Sequence, residues 1–191
     1  NILIIKEAVT GKTIKETVIK GLPAFSSPAW SPDGKTIVLS GMIDGQTDLF
    51  AFDLKTNTLT QLTDDSYSEI QAAWSPDGKK LVFASDRLSM GNKSAYGPWT
   101  FNITRMDWPT KSVEYFDFFP GANNLNPVID TSGNILFLSN QDGYRNIYKF
   151  TPESGDVFQM TDLITGVSGI TPYSPAITIA RKRNRLIYTH Y

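Results

Sequence analysis

Apolar residues along this chain fall in short runs of strand length, and no stretch keeps the i, i+3, i+4 spacing of an amphipathic helix. One set of runs reads Ile37-Val38-Leu39, Leu81-Val82-Phe83, Ile135-Leu136-Phe137 and Leu186-Ile187-Tyr188. A second set alternates more clearly: Asp48-Leu49-Phe50-Ala51-Phe52, Asn102-Ile103-Thr104-Arg105-Met106 and Asn146-Ile147-Tyr148-Lys149-Phe150, with Asn1-Ile2-Leu3-Ile4-Ile5 at the start. Turn chemistry follows each of these, at Thr10-Gly11, Thr56-Asn57, Pro109-Thr110 and Ser154-Gly155. A further strand then closes the unit, as in Leu59-Thr60-Gln61-Leu62-Thr63 and Val157-Phe158-Gln159-Met160-Thr161. The pattern predicts β-strands throughout and no helix.

The strands are organised by a repeat. Pro28-Ala29-Trp30-Ser31-Pro32-Asp33-Gly34-Lys35 recurs as Ala72-Ala73-Trp74-Ser75-Pro76-Asp77-Gly78-Lys79, about 44 residues later. Degraded copies begin at Pro127-Val128-Ile129-Asp130 and at Pro175-Ala176-Ile177. Four short strands in that period are the signature of a propeller blade. Pro-Asp-Gly supplies a fixed φ followed by a positive one, which closes a tight hairpin. Trp30 and Trp74 are expected to be buried wedges at equivalent places between blades. The fold class expected is therefore all-β, a β-propeller of four-stranded antiparallel blades. A half-blade would span residues 1–22, complete blades 23–65, 66–120 and 121–165, and a second half-blade 166–191. The half-blades could join in a four-bladed ring, but the preferred expectation is a segment of a larger ring, or a half-ring completed by another copy, because unpaired half-blades leave exposed strand edges. An immunoglobulin-like sandwich offers similar strand spacing but no reason for one motif to recur.

Trp-Ser-Pro-Asp-Gly-Lys, an apolar strand, Asp or Asn before an apolar-aromatic strand, and then Gln-Leu-Thr resemble the WD40-like repeat of TolB-type β-propellers. The resemblance covers nearly the whole chain and weakens in the last copy, which lacks Ser-Pro-Asp-Gly. It implies a bacterial, often extracytoplasmic protein, and hence a periplasmic or otherwise extracytoplasmic location. Members of the family include a periplasmic Tol–Pal component, propellers attached to serine peptidases, and parts of envelope proteins. The resemblance says little of function, because one fold hosts many tasks.

Composition removes several chemistries. The 191 residues carry a formal net charge of −1, no cysteine and one histidine. A near-neutral chain argues against nucleic acid as a partner. Without cysteine there is no disulfide scaffold, thiolate metal site or Cys nucleophile. His190 stands alone, and no Gly-x-Ser-x-Gly elbow is present, so a Ser-His-Asp triad cannot be assembled within the chain. Each Ser-Pro-Asp-Gly turn offers one carboxylate, fewer than a calcium site needs, and its expected role is the turn itself. Oligogalacturonate lyases share a similar repeat but bind metal through several histidines that this chain lacks. No catalytic residue, metal site or cofactor is expected, and no apolar run is long enough for a membrane-spanning helix.

The connection over residues 86–101 supplies the candidate site. It is about nine residues longer than the matching connections at 41–47 and 140–145 and carries Arg87, Met90, Tyr96, Trp99 and Phe101. Arg87, Tyr96, Trp99 and Phe101 are the expected anchors for a protein or peptide partner, because exposed aromatics with an arginine are typical of interfaces. Against this stands the possibility that Trp99 and Phe101 fold back as a lid on their own blade. Residues 162–173 form the other long, unusually apolar connection, and strand alternation puts both on one rim. The basic turn Arg181-Lys182-Arg183-Asn184-Arg185 falls on the other rim and reads as solvated. The function expected is a non-catalytic interaction or scaffold propeller of the bacterial cell envelope, with further blades or domains in the same protein. The alternative is an accessory, substrate-gating propeller of a peptidase whose catalytic domain lies outside this chain.

Overall fold

The hairpin turns are held by side chains as much as by backbone. Ser31 Oγ donates to Asp33 Oδ1 at 2.6 Å, and the Lys35 N–H donates to the same oxygen at 3.1 Å. The Thr36 N–H donates back to Ser31 Oγ at 3.0 Å. The second copy repeats the set through Ser75, Asp77, Lys79 and Lys80 at 2.6, 3.0 and 2.9 Å. Gly34 and Gly78 close these turns at φ 73° and 72°, where a side chain would be strained. In the degraded third copy Asp130 takes over, accepting the Ser132 and Asn134 N–H groups at 2.8 and 2.9 Å. The serine hydroxyl, then the backbone amide, holds the carboxyls of Asp33 and Asp77 below their ordinary range. These carboxylates are engaged by their own turns.

The structure, a computed structural model, describes residues 1–91, 99–171, 173–180 and 183–190. It opens with a hairpin of β1 (Leu3–Lys6) and β2 (Thr13–Thr17). Three antiparallel four-stranded sheets follow, each in chain order. The first contains β3 (Ala24–Trp30), β4 (Thr36–Ile43), β5 (Gln46–Asp53) and β6 (Leu59–Gln61). The second contains β7 (Glu69–Trp74), β8 (Lys80–Ser85), β9 (Asn102–Asp107) and β10 (Val113–Phe116). The third contains β11 (Asn124–Ile129), β12 (Ile135–Ser139), β13 (Asn146–Thr151) and β14 (Asp156–Gln159). A last hairpin pairs β15 (Ile177–Ala180) with β16 (Arg185–Tyr188). The strand pattern did not predict α1 (Arg87–Gly91), a single turn closed by the Met90 N–H on the Asp86 carbonyl at 3.0 Å. One turn is too short to leave a helical period in the sequence.

The core lies between sheets. Ile37 and Leu39 of β4 pack back onto Leu3, Ile5 and Ile19, while Val38 between them packs forward onto Trp74, Leu81 and Phe83. In β8 and β12 the same division holds: Val82 meets Ile135 and Phe137, and Leu136 and Leu138 meet Val167 and Ile177. Second strands are thus buried on both faces and read as continuous apolar runs. Between the second and third sheets Phe116, Phe118, Phe137, Tyr148 and Phe150 form an aromatic cluster, with ring centroids 4.7 to 5.3 Å apart at its closest pairs.

One expectation fails here. Trp74 is 2% exposed, donates its Nε1–H to the Ala29 carbonyl at 3.1 Å and meets Trp108 edge-on, but Trp30 is 46% exposed. The strand alignment itself is sound, since Trp30 pairs with Ile37 as Trp74 pairs with Leu81. The difference lies in the neighbour. Trp74 wedges against a four-stranded sheet whose inner strand provides an acceptor, whereas the sheet before Trp30 consists of β1 and β2 alone.

Trp74→Ala in this chain should therefore cost ~3–5 kcal/mol in chemical denaturation, the range for a large core aromatic. Trp30→Ala should cost under ~1 kcal/mol, as an exposed position does. Equal losses would contradict the packing described.

Candidate functional site

The inner strands β3, β7 and β11 each carry a bulge at the same place, with register breaks at Ser26/Ala29, Ile70/Ala73 and Leu125/Val128. A non-glycine residue with positive φ sits in each: Ser27, Gln71 and Asn126. A bulge re-aims its side chain, and here two amides reach the next element. Gln71 Oε1 accepts the Asn126 N–H at 2.7 Å, and Asn126 Oδ1 accepts the N–H groups of Ala176 and Ile177 at 2.6 and 2.9 Å. Gln71 Nε2 also donates to the Tyr173 carbonyl at 2.6 Å. The connection before β15 is thereby tied to β7.

This tie completes a cleft of about 580 Å³ on the rim where second-to-third strand and sheet-to-sheet connections emerge. Its walls include Phe25, Met42, Ile70, Trp99, Phe101 and Tyr173, with Ser26, Ser40, Ser68 and Asp86 as polar groups. Phe101 and Tyr173 meet edge-on at 5.8 Å, so the two long connections touch. Ser89 Oγ donates to the Thr100 carbonyl at 2.9 Å and accepts the Thr100 N–H at 3.1 Å, which pins the return leg of residues 86–101. Phe101 is fixed through its N–H on Asn123 Oδ1 at 3.1 Å. Its neighbour Trp99 is 55% exposed.

The four anchors read from the sequence fare differently. Trp99 and Phe101 line the cleft. Tyr96 lies outside the described residues. Arg87 is turned away from the cleft: it pairs with Asp65 and lies over the rings of Tyr67 and Tyr115, at 4.2 and 5.3 Å from their centroids. Of residues 162–173, Val167 is buried and Leu163 packs against the same cluster, while Ile164 and Ile170 are exposed, so the apolar stretch is packed in part. Met42 and Ser40, which also line the cleft, carry no site signal in the sequence. Tyr173 was legible only as the end of a long connection.

Carboxylates gather behind the cleft. Glu69, at the start of β7, is 1% exposed and accepts Ser85 Oγ at 3.0 Å, leaving Oε2 without a well-formed hydrogen bond among the described residues. Across the sheet interface Asp48 accepts Thr63 Oγ1 and Gln61 Nε2, both at 3.2 Å. Burial pushes the Glu69 carboxyl up to about 7, helped by the charges of Asp48 and Asp86 and opposed by Thr63 and Ser85. Burial also raises Asp48 and Asp86 above the ordinary range. At the next interface the corresponding contact is uncharged, with Asn124 Nδ2 donating to Asn102 Oδ1 at 3.1 Å.

The family model PD40, the TolB beta propeller domain, matches residues 2–162. The chain belongs to this family. Among solved structures, the TolB-type propeller is similar to TolB from Acinetobacter baumannii at 24% identity and TM-score 0.62, covering 86% of this chain and 39% of that one. It is similar to an Agrobacterium tumefaciens protein described as TolB at 20% identity and TM-score 0.65, covering 85% and 61%. A puromycin hydrolase shares 19% identity and TM-score 0.59, with 84% and 24% covered. The chain thus spans less than two thirds of each of these proteins, and likeness at such identities shows the fold alone. Among curated proteins none matches by sequence.

The buried Glu69 gives the TolB-type propeller a pH signature. Its folded carboxyl titrates near 7 and its ordinary value is 4.5. Between those values the folded state keeps a proton that the unfolded chain has released, so stability falls as pH rises. The loss is complete above pH ~7 and amounts to roughly 3 kcal/mol. Glu69→Gln should therefore be more stable than the native chain at pH 8 and converge with it near pH 4.5, read from denaturation midpoints. A gap that does not change with pH would refute this origin.

Proposed function

We propose that this chain is a non-catalytic interaction propeller of the bacterial cell envelope, outside the cytoplasm, and that a protein or peptide partner docks in the cleft walled by Trp99, Phe101 and Tyr173. The observation that carries the reading is the cleft itself. It has the volume of a ligand site and a mostly apolar, aromatic lining with a few polar groups. Trp99, Tyr173 and Met42 are each about half exposed, although the sheets behind them are well packed. Large side chains left open on a rigid scaffold are the usual anchors of an interface. Family membership supports the propeller role, and the fold shared with TolB from Acinetobacter baumannii supports the envelope setting.

A second reading draws on one observation, the shared fold with a puromycin hydrolase. In that case the chain is an accessory propeller gating substrate for a catalytic domain elsewhere in the protein, and the same cleft holds a peptide in passage.

The test places a photo-reactive residue at Trp99, or at Asn184 in the β15–β16 turn on the other rim, in the native full-length protein within intact cells. Cross-links to an envelope protein from position 99 and not from 184 support the interaction module. Self-cross-links to a catalytic domain support the gating reading. Equal yields at both positions overturn the site. In parallel, Trp99→Ala should weaken partner binding by ~1–3 kcal/mol with Tm nearly unchanged, while Arg183→Ala does little. Loss of folding in Trp99→Ala would identify a lid instead.

A further inference from the structure

We propose that the cleft selects a partner peptide by an arginine side chain, seated between the aromatic walls with its guanidinium toward Asp86 and Ser40; this rests on the reading of the cleft as a partner site. The first ground is charge. Asp86 is 8% exposed in the cleft wall, and no lysine or arginine lines the cleft among the described residues. Behind it lie Asp48 and Glu69, the latter driven toward its neutral form by burial and by the Asp48 charge. The nearest described cation in sequence, Arg87, is occupied by Asp65 and two tyrosine rings. A cationic occupant therefore meets the Asp86 carboxylate, which no lysine or arginine among the described residues of the cleft lining neutralises.

The second ground is an unused hydrogen-bonding group. Ser40, on the cleft wall, is 2% exposed, and its Oγ is buried with no hydrogen-bond partner among the described residues. A buried hydroxyl without a partner is costly, and a ligand donor would satisfy it. Asp86 Oδ1 already accepts the Ser68 N–H at 2.8 Å, which fixes the carboxylate in place before any ligand arrives.

The third ground is shape and surface. Trp99, Phe101 and Tyr173 bring three ring systems to one cleft. A guanidinium is planar, weakly hydrated and stacks on aromatic faces while its N–H fork meets a carboxylate or hydroxyl. An ammonium has the charge but not the plane. The cleft volume accommodates an arginine with apolar neighbours on either side.

The test uses three peptides, acetyl-Phe-Arg-Phe-amide, its citrulline analogue and its glutamate analogue, titrated against the full chain and followed by Trp fluorescence and calorimetry. Citrulline keeps the shape of arginine without its charge. Expected is binding of the arginine peptide about tenfold tighter than the citrulline peptide, with the glutamate peptide weakest. Asp86→Asn, which keeps an acceptor for the Ser68 N–H, should abolish the preference; should it fail to fold, Trp99→Leu should reduce the preference at an exposed position. Arg183→Ala should leave the preference intact. Equal affinity for arginine and citrulline overturns charge selection and leaves the cleft as a partner site. Tighter binding of the glutamate peptide, or no binding by any of the three, also overturns the proposal. The envelope cross-link from position 99 then judges the partner site separately.

Discussion

Each of the three four-stranded sheets depends on a neighbour, because its second strand is apolar on both faces. Val38, Val82 and Leu136 point to one side while Ile37, Leu81 and Ile135 point to the other. An isolated four-stranded sheet of this kind would leave one apolar face in water. Face-to-face stacking removes both from solvent, and the hydrophobic gain scales with the area covered. The same constraint accounts for Trp30. Its counterpart Trp74 is covered by the complete sheet opposite, and Trp30, which faces the β1–β2 hairpin, is half open.

Stacking brings polar groups into the interfaces, and each interface treats them differently. Between the second and third sheets, Asn124 and Asn102 satisfy one another as amides. Between the first and second, the corresponding positions hold Glu69 and Asp48, and burial drives the Glu69 carboxyl toward neutrality. A protonated carboxyl can donate, as the asparagine amide does, so the two interfaces reach a similar balance by different chemistry. The bulges at Gln71 and Asn126 belong to the same economy. Each spends a residue in positive φ to satisfy backbone N–H groups of the next inner strand.

Those interblade bonds also join scaffold to site. Gln71 holds the Tyr173 carbonyl, Ser89 holds Thr100, and Asn123 holds Phe101. The aromatic walls of the cleft are therefore positioned by the backbone around them, while Trp99 and Tyr173 keep about half their surface exposed. Arg87 shows the opposite outcome. An arginine in a long connection looked like an anchor, but it is engaged by Asp65, Tyr67 and Tyr115.

What the sequence determined by itself was local and repetitive. The Ser-Pro-Asp-Gly turns close through bonds that span at most five residues, and the strands between them follow from apolar runs of fixed length. Hence the all-β class, the four-stranded sheets and the rim of the long connections are legible in the sequence. The one-turn helix α1 was not, because a single turn leaves no period. The occupancy of Arg87, the exposure of Trp30, the part played by Met42, Ser40 and Tyr173, and the buried state of Glu69 were decided by tertiary structure alone. Each depends on groups distant in sequence: the Glu69 carboxyl is pushed up chiefly because the packed sheets bury it, with the charge of Asp48 across the interface adding to the effect, and Tyr173 reaches the cleft because Gln71, 102 residues earlier, holds its carbonyl. A residue's own sequence neighbourhood carries no record of such partners.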